Sequence, residues 1–412
     1  MKKLIGIHLV AVCIAVAALA GCSKAAYEID GRGGYYDADR ADAYMPGEGG
    51  ITGDYGGSED PGDGGSNPNQ YASGVVTAAE WNDIANWSFW AKLLNKQDWA
   101  THASYWKYYP NNFVYVKLVD DKDVPVCGVK VVLEQNGTKV WSAISDNSGT
   151  AALWASLYES KYKVEESDYK LTIDGKSYGD FTFTTPNSGE LVVNKYVMSA
   201  KAPSNAIDVA FIVDATGSMG DEIGFLKKDL DDIIKLVEQQ CSAKVRTGTV
   251  FYRDKDDKYV TKYSQFTSNL KDTRDFIDKQ EADGGGDWPE AVHEALATGL
   301  QSLSWDNDAR SRVAFLILDA PPHHDDAIIA SCQKSIEAYA KAGIKIIPVA
   351  ASGIDKACEY LLRCFAMATN GTYVFITDDS GVGDNHIEAT VGDYTVEKLR
   401  NLIARLIIAY AK

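Results

Sequence analysis

Apolar runs short enough to be buried strands alternate with amphipathic stretches through the second half of the chain. Strand patterns are expected at 207–213, 245–252, 313–318, 344–350 and 372–376, with 258–266 as an antiparallel edge hairpin. Helical patterns fill 221–240, 269–281, 288–303, 325–342, 354–369 and 394–411. Runs such as Ile207 to Val213, almost wholly apolar, suit strands covered on both faces. Their alternation with helices predicts an α/β Rossmann-like domain over 204–412, with a mostly parallel central sheet and helices on both sides. Ligands of such sheets bind beyond the carboxyl ends of the strands, where Asp214 and Asp319 fall.

The pattern upstream is different. Short alternating runs, among them Val114 to Leu118, Val129 to Leu133, Val140 to Ala143, Gly149 to Trp154, Tyr169 to Thr172 and Leu191 to Val193, are separated by turn signals such as Asn-Gly and Asp-Gly. They predict an antiparallel Ig-like β-sandwich over 113–200. Before it, Thr77-Ala-Ala-Glu80 fits a capping box, and Trp81, Ile84, Trp87 and Leu94 recur near helical spacing. Five of the nine tryptophans lie between 81 and 106. Residues 73–112 are therefore expected to form a Trp-rich helical strap that buries against the next domain. The competing reading is an exposed stacking surface for sugars or peptides.

Residues 22–72 are dense in Gly, Asp, Ser and Tyr, with Gly-Gly at 33, 49, 56 and 64, which predicts a flexible tether spanning roughly 40 Å. At the start, Lys2 and Lys3 precede an apolar run to Ala20 and then Gly21-Cys22-Ser23. This resembles a bacterial lipoprotein signal, which implies removal of 1–21, lipidation of Cys22 and a place in the cell envelope, with the outer membrane favoured and the facing side open. The only membrane contact expected is that anchor.

Charge narrows the partners. The chain carries a formal −17, and removing Lys2 and Lys3 makes it two units more negative. Binding to nucleic acid through phosphates is excluded as an expectation, and cations or basic surfaces are favoured. Five cysteines remain beyond Cys13 and Cys22, an odd number, so at least one is unpaired within the chain. Cys358 and Cys364 fall on different faces of a helical pattern and are not expected to pair.

The sharpest chemistry follows the strand at 207–213. Asp214, Thr216 and Ser218 place one carboxylate and two hydroxyls at alternate positions, able to face one small space. Such all-oxygen ligation suits a hard divalent cation. Two further loops can join it: Asp283-Gly-Gly-Gly-Asp-Trp-Pro-Glu290, and the strand tip at Asp319 followed by Ala-Pro-Pro-His323. In the second loop, Asp287 either coordinates, directly or through water, or caps a helix at 288. Asp254 is expected to pair with a neighbouring Arg or Lys. His323 through Asp326 are expected to end a loop and start a helix, with His323, like Glu290, at most behind the ligands.

The Asp-x-Thr-x-Ser pattern resembles the metal-ion-dependent adhesion site of von Willebrand factor type A domains. The Gly-Gly-Gly-Asp-x-Pro-Glu loop and Tyr252-Arg-Asp254 are similar to a bacterial subgroup that includes domains found beside alpha-type kinases. That family commonly places a threonine ligand where Gly286 stands here. Val124 to Val129 with Asp146 to Ala151 resembles the carboxypeptidase-regulatory or CnaB-type sandwich. The resemblance implies a non-enzymatic module in which Asp214, Thr216, Ser218, Asp287 and Asp319 surround Mg²⁺ (or Mn²⁺ or Ca²⁺), and a protein partner offers a carboxylate to the ion. The alternatives are a glycan binder using the tryptophan segment and, lower, a metal-dependent hydrolase with Asp287 or His323 as base.

Overall fold

The computed structural model describes residues 76–161, 163–200, 202–286, 288–378 and 386–412. The described chain begins with strand β1 (Thr77–Trp81) and helices α1 (Trp87–Leu93) and α2 (Gln97–Trp106). Seven strands follow: β2 (Phe113–Val119), β3 (Lys130–Gln135), β4 (Thr138–Ile144), β5 (Thr150–Trp154), β6 (Tyr169–Ile173), β7 (Lys176–Tyr178) and β8 (Val193–Val197). The α/β part runs β9 (Ser204–Asp214), α3 (Gly220–Gln240), β10 (Lys244–Tyr252), β11 (Thr261–Thr267), α4 (Leu270–Ile277), α5 (Val292–Gln301), β12 (Ala309–Leu318) and α6 (Asp326–Ala342). It ends with β13 (Lys345–Ala350), α7 (Lys356–Ala368), β14 (Tyr373–Ile376), β15 (Glu397–Lys398) and α8 (Leu399–Ala411).

The main sheet has the order β11-β10-β9-β12-β13-β14-β1-β15. Strands β10, β9, β12, β13 and β14 are parallel, and β11 closes one edge antiparallel to β10, as the edge-hairpin expectation had it. Side chains of β9 alternate faces. Ile207, Val209, Phe211 and Val213 pack with α3, α4 and α8, while Ala210 and Ile212 pack with α5, α6 and α7. All six are fully buried, which explains a strand sequence with almost no polar alternation.

The segment at 77–81 departs from expectation. Thr77-Ala-Ala-Glu80 opens no helix; it forms β1, antiparallel to β14 with Ala78 opposite Ile376 and Trp81 opposite Tyr373. Ala78 packs with the α8 face and Ala79 with the opposite face, so both sides of this strand are covered. A capping-box pattern is weaker than a vacant sheet edge offering backbone partners. The main sheet is thus built from residues on both sides of 113–197.

Those intervening strands form a three-stranded sheet, β5-β2-β8, and a four-stranded sheet, β4-β3-β6-β7. Asn136-Gly137 and Asp174-Gly175 close two-residue hairpins with both residues at positive φ, as the sequence signals require. The four-stranded sheet is antiparallel, but β8 pairs parallel with β2, because the chain reaches it after crossing the other sheet. Phe181 to Phe183, whose aromatics are buried, lies outside any strand. Asp146 receives Lys345 Nζ at 2.8 Å and Asn370 Nδ2 at 3.0 Å, joining this region to the main sheet.

The aromatic segment buries. Trp87, Trp90, Trp99 and Trp106 are at most 4% exposed and Trp81 is 9% exposed. The Trp90 and Trp106 indole N–H groups donate to the carbonyls of Pro110 and Ala357. These five rings are packed into the protein, and of the aromatics between 81 and 106 Tyr105 is the one left largely exposed. Cys127, Cys241, Cys332, Cys358 and Cys364 are all free thiols. Among the described residues no helix is long and apolar enough to cross a membrane. The signal, Cys22 and the tether lie outside the described residues.

Candidate metal centre

Strands β9 and β12 are neighbours, yet α3 leaves β9 toward one face and α6 leaves β12 toward the other. The crevice this opens at the carboxyl ends of the strands contains Asp214 and, one residue past β12, Asp319. The Asp214 side chain is fully buried; its Oδ1 accepts the Thr216 backbone N–H at 2.9 Å and the Thr216 hydroxyl at 2.8 Å. That local turn holds Thr216 inward and brings Ser218 onto the exposed rim. Thr216, Ser218, Glu290 and Asp319 line one cleft of about 380 Å³, together with Gly284 to Gly286, Trp288 and the Ser352-Gly353 loop beyond β13.

Backbone hydrogen bonds tie the loops together. Gly217 N–H donates to the Gly284 carbonyl at 3.2 Å, and Asp283 N–H to the Ala215 carbonyl at 3.1 Å. Glu290 N–H donates to the Pro321 carbonyl at 2.9 Å, and Glu290 forms a parallel bridge with Pro322. The expected helix at 288 therefore does not start there: residues to Glu290 are drawn into this bridge, and α5 begins at Val292. Glu290 consequently faces the cleft instead of capping a first turn. Gly284 has φ +81°, and a Cβ there would lie 2.1 Å from Asp257 Oδ1. Asp257 needs that space because its Oδ2 accepts the backbone N–H of Gly285 at 3.0 Å. Asp287 lies outside the described residues.

Burial and mutual repulsion dominate the electrostatics of these acids. Burial pushes the Asp214 carboxyl up to about 7, the charge of Asp319 adds to it, and hydrogen bonding from Thr216 and the Tyr252 hydroxyl opposes. Asp214 Oδ2 is buried without a hydrogen-bond partner of normal geometry. Glu290 is driven up to about 9, by burial first and then by Asp214, Asp254, Asp257 and Asp319; its Oε2 is likewise buried and unpartnered. Burial also raises Asp319, against a hydrogen bond from Ser218, and raises Glu222 to about 7. No Lys or Arg is among the described residues lining the cleft.

Among the described residues no three His, Cys, Asp or Glu side chains cluster as metal ligands. The assembled donors are instead two carboxylates and two hydroxyls, a set that depends on Ser and Thr. Orphaned Asp214 Oδ2, a second carboxylate nearby and oxygen-only chemistry fit a hard divalent cation.

Around this set, Asp254 is not paired with Arg or Lys as expected. Its Oδ1 lies 2.6 Å from His323 Nε2, with both side chains largely buried. Arg253 instead reaches Asp283 at 3.1 Å and stacks over Tyr259, bracing the glycine loop from outside. Asp325 caps α6 by accepting Ala327 N–H, His324 stacks on Tyr105 at 3.6 Å between ring centroids, and Asp326 pairs with Lys107. Glu222 and Tyr252 were given no role at the site from sequence. Tyr252 was in principle findable, since β10 ends with Tyr252 in register with Asp214.

Residues 208–356 match the von Willebrand factor A domain, and the chain carries such a domain. A putative ariadne-like RING finger protein of Acanthamoeba polyphaga mimivirus is 35% identical over 169 residues, 41% of this chain and 15% of that protein. Alpha-protein kinase vwkA of Dictyostelium discoideum is 32% identical over 136 residues, 31% of this chain and 21% of that protein. The chain thus spans only about a fifth or less of the length of these curated relatives. Among solved structures, a von Willebrand factor type A protein from Catenulispora acidiphila aligns with TM-score 0.35 and 13% identity, covering 74% of this chain and 50% of that one. The pilus adhesin SpaC from Lactobacillus rhamnosus GG aligns with TM-score 0.33 and 9% identity, covering 50% of this chain and 30% of that one.

Proposed function

We propose that the von Willebrand factor A domain of this chain is a metal-dependent protein-binding module displayed on the cell envelope. The observation that carries the reading is the buried Oδ2 of Asp214, without a hydrogen-bond partner of normal geometry, behind Thr216 and beside an acidic cleft that Thr216, Ser218 and Asp319 line and, among the described residues, no Lys or Arg. A buried carboxylate with one oxygen left unsatisfied is costly, and a cation held there offsets both its burial and the repulsion from its neighbours. Asp214, Thr216, Ser218 and Asp319 would hold Mg²⁺ or Mn²⁺, with Asp287 a further candidate ligand. Bound there, the ion supplies a Lewis-acidic position that a partner's carboxylate can complete.

The chain's own residues confer the selectivity. The neighbouring carboxylates of Asp254 and Asp257 repel a uniformly negative surface, so an acidic side chain standing on a neutral or basic partner is favoured. Thr216 and the Gly217–Gly284 hydrogen bond fix the loop spacing, which limits how closely a partner approaches. His323, one of the two bases considered for the hydrolase reading, has its Nε2 held by Asp254.

The amino-terminal reading belongs to the same proposal. Processing before Cys22 and acylation of that residue would tether the domain to a membrane by lipid, and mass spectrometry of the mature amino terminus tests this. For binding, the full chain is immobilised and exposed to solubilised envelope proteins in Mg²⁺ or in EDTA, beside Asp214→Ala. Retention of a defined partner only by the parent in Mg²⁺ is expected; the same partner retained in EDTA and by Asp214→Ala contradicts the proposal.

A further inference from the structure

Beside the metal cleft lies a second hollow of about 380 Å³, and Trp288 forms a wall of both. It is built where the amino-terminal helix α2 meets the loops after β12 and before α7. Tyr105 and Trp106 come from α2, and Pro289, Pro321 and Pro322 from the loops. Tyr105 and Trp288 are among the few large apolar side chains the described surface exposes, at 43% and 46%. Two exposed aromatics flanking one concavity are what a recognition surface presents, since isolated exposed apolar residues need no such hollow.

Several polar atoms around this hollow are committed elsewhere, the His102 imidazole being an exception. The Thr101 hydroxyl donates to the Gln97 carbonyl at 3.0 Å, and the Trp106 indole N–H donates to Ala357 at 2.7 Å. His324 Nε2 bonds the Tyr105 carbonyl at 2.9 Å, and one face of the Tyr105 ring is covered by the His324 imidazole. Asp355 Oδ1 accepts the Cys358 N–H at 2.7 Å as the cap of α7. A sugar would need free donors and acceptors along such a surface. Apolar ring and proline faces suit an apolar side chain.

We propose that this groove is the second half of the partner-binding site, and that it receives an aromatic or branched aliphatic side chain close in sequence to the acidic residue a partner protein directs at the metal cleft. The proposal rests on the metal-dependent reading above. An extended peptide advances about 3.3 Å per residue, so residues within a few positions of one another can occupy adjoining clefts that share a wall. A hollow of this size lies within the range of pockets that bury small ligands, roughly 300–1,000 Å³, and accommodates one large side chain. The aromatic segment that packs as a strap would thereby also shape specificity: α2 supplies a wall that the α/β domain lacks by itself.

The test selects a displayed random-peptide library on the full chain in Mg²⁺, then measures synthetic peptides against the parent, Asp214→Ala, Tyr105→Ala and Thr101→Trp. Both groove variants lie on α2, outside the loops that carry Asp214 and Asp319. Thr101→Trp fills the hollow while leaving the Tyr105–His324 stack in place, and unchanged Mg²⁺ binding and melting confirm that each variant is folded. Selected peptides are expected to carry an acid with an apolar residue within three positions. Each groove variant should weaken the best peptide at least tenfold, about 1.4 kcal/mol, yet leave its apolar-to-Ala version unaffected. Peptides with an acid but no apolar preference, or equal weakening of both versions, would overturn the groove while leaving the metal reading intact. Apolar peptides sensitive to the groove variants but indifferent to EDTA and Asp214→Ala would overturn the metal reading and keep the groove. Binding to a glycan array that Tyr105→Ala abolishes would overturn the groove's assignment to a peptide.

Discussion

Replacing Asp83 with Ala should destabilise the protein more than almost any surface change, because it strips a fully buried cation of its best partner. Arg363 on α7 is 0% exposed and Asp83 is 1% exposed at the side chain. Arg363 Nε donates to Asp83 Oδ2 at 2.9 Å and Nη2 to Oδ1 at 2.6 Å, a two-point pair, while Trp90 and Trp99 each lie 5.1 Å from the guanidinium. Breaking a buried pair from one side costs roughly 3–5 kcal/mol, mostly the charge left behind. Here Glu359 still reaches Arg363 Nη1 at 3.2 Å, so the expected loss is near the lower end, about 3 kcal/mol. Glu359 itself also holds Lys356 at 2.9 Å and the Thr390 N–H at 2.7 Å, so it is not free to follow the guanidinium. Urea unfolding followed by tryptophan fluorescence reads the change as a shift in midpoint. The double variant Asp83→Ala with Arg363→Met removes the stranded charge and should recover most of the loss. A cost under about 1 kcal/mol for the single variant, or no recovery in the double, refutes the reasoning that the strap is locked by this ion pair.

Gly284→Ala places a Cβ at a φ of +81° and 2.1 Å from Asp257 Oδ1, so it should destabilise by about 1–3 kcal/mol and weaken Mg²⁺ binding; unchanged melting and affinity would show that the loop does not need glycine there. Alkylation at pH 8 should modify native Cys127 and Cys241 well before the rest. Cys332, Cys358 and Cys364 are buried, with burial raising each thiol and holding Cys332 up to about 12, so they should react only after unfolding, as peptide mass mapping over time would reveal.

How far the sequence could be read varied with how local each determinant is. Strands β9, β10, β12 and β13 were legible because a strand buried on both faces leaves an unbroken apolar run, and the grouping of Asp214 with Thr216 and Ser218 because the three lie within five residues. Strand β1 was not, because its partner β14 lies almost three hundred residues away, and Thr77-Ala-Ala-Glu80 fits a helix start as well as an edge. Asp254 was misread for the same reason: His323 is its partner only after β10 and the loop beyond β12 are brought together. Glu290 looked like part of a helix opening, since nothing nearby announces its bridge to Pro322. The parallel pairing of β8 with β2 also depends on a crossover that alternation alone does not encode.

Calorimetric titration of the full chain with Mg²⁺ and Mn²⁺, beside Asp214→Ala, tests the central claim most directly, with the melting temperature of each recorded in parallel. The account predicts saturable binding by the parent alone, with about 2.7 kcal/mol of added stability at a hundredfold excess over Kd and reversal by EDTA. Asp214→Ala should neither bind nor gain stability. Equal behaviour of the two proteins, whether both bind or neither does, would contradict it.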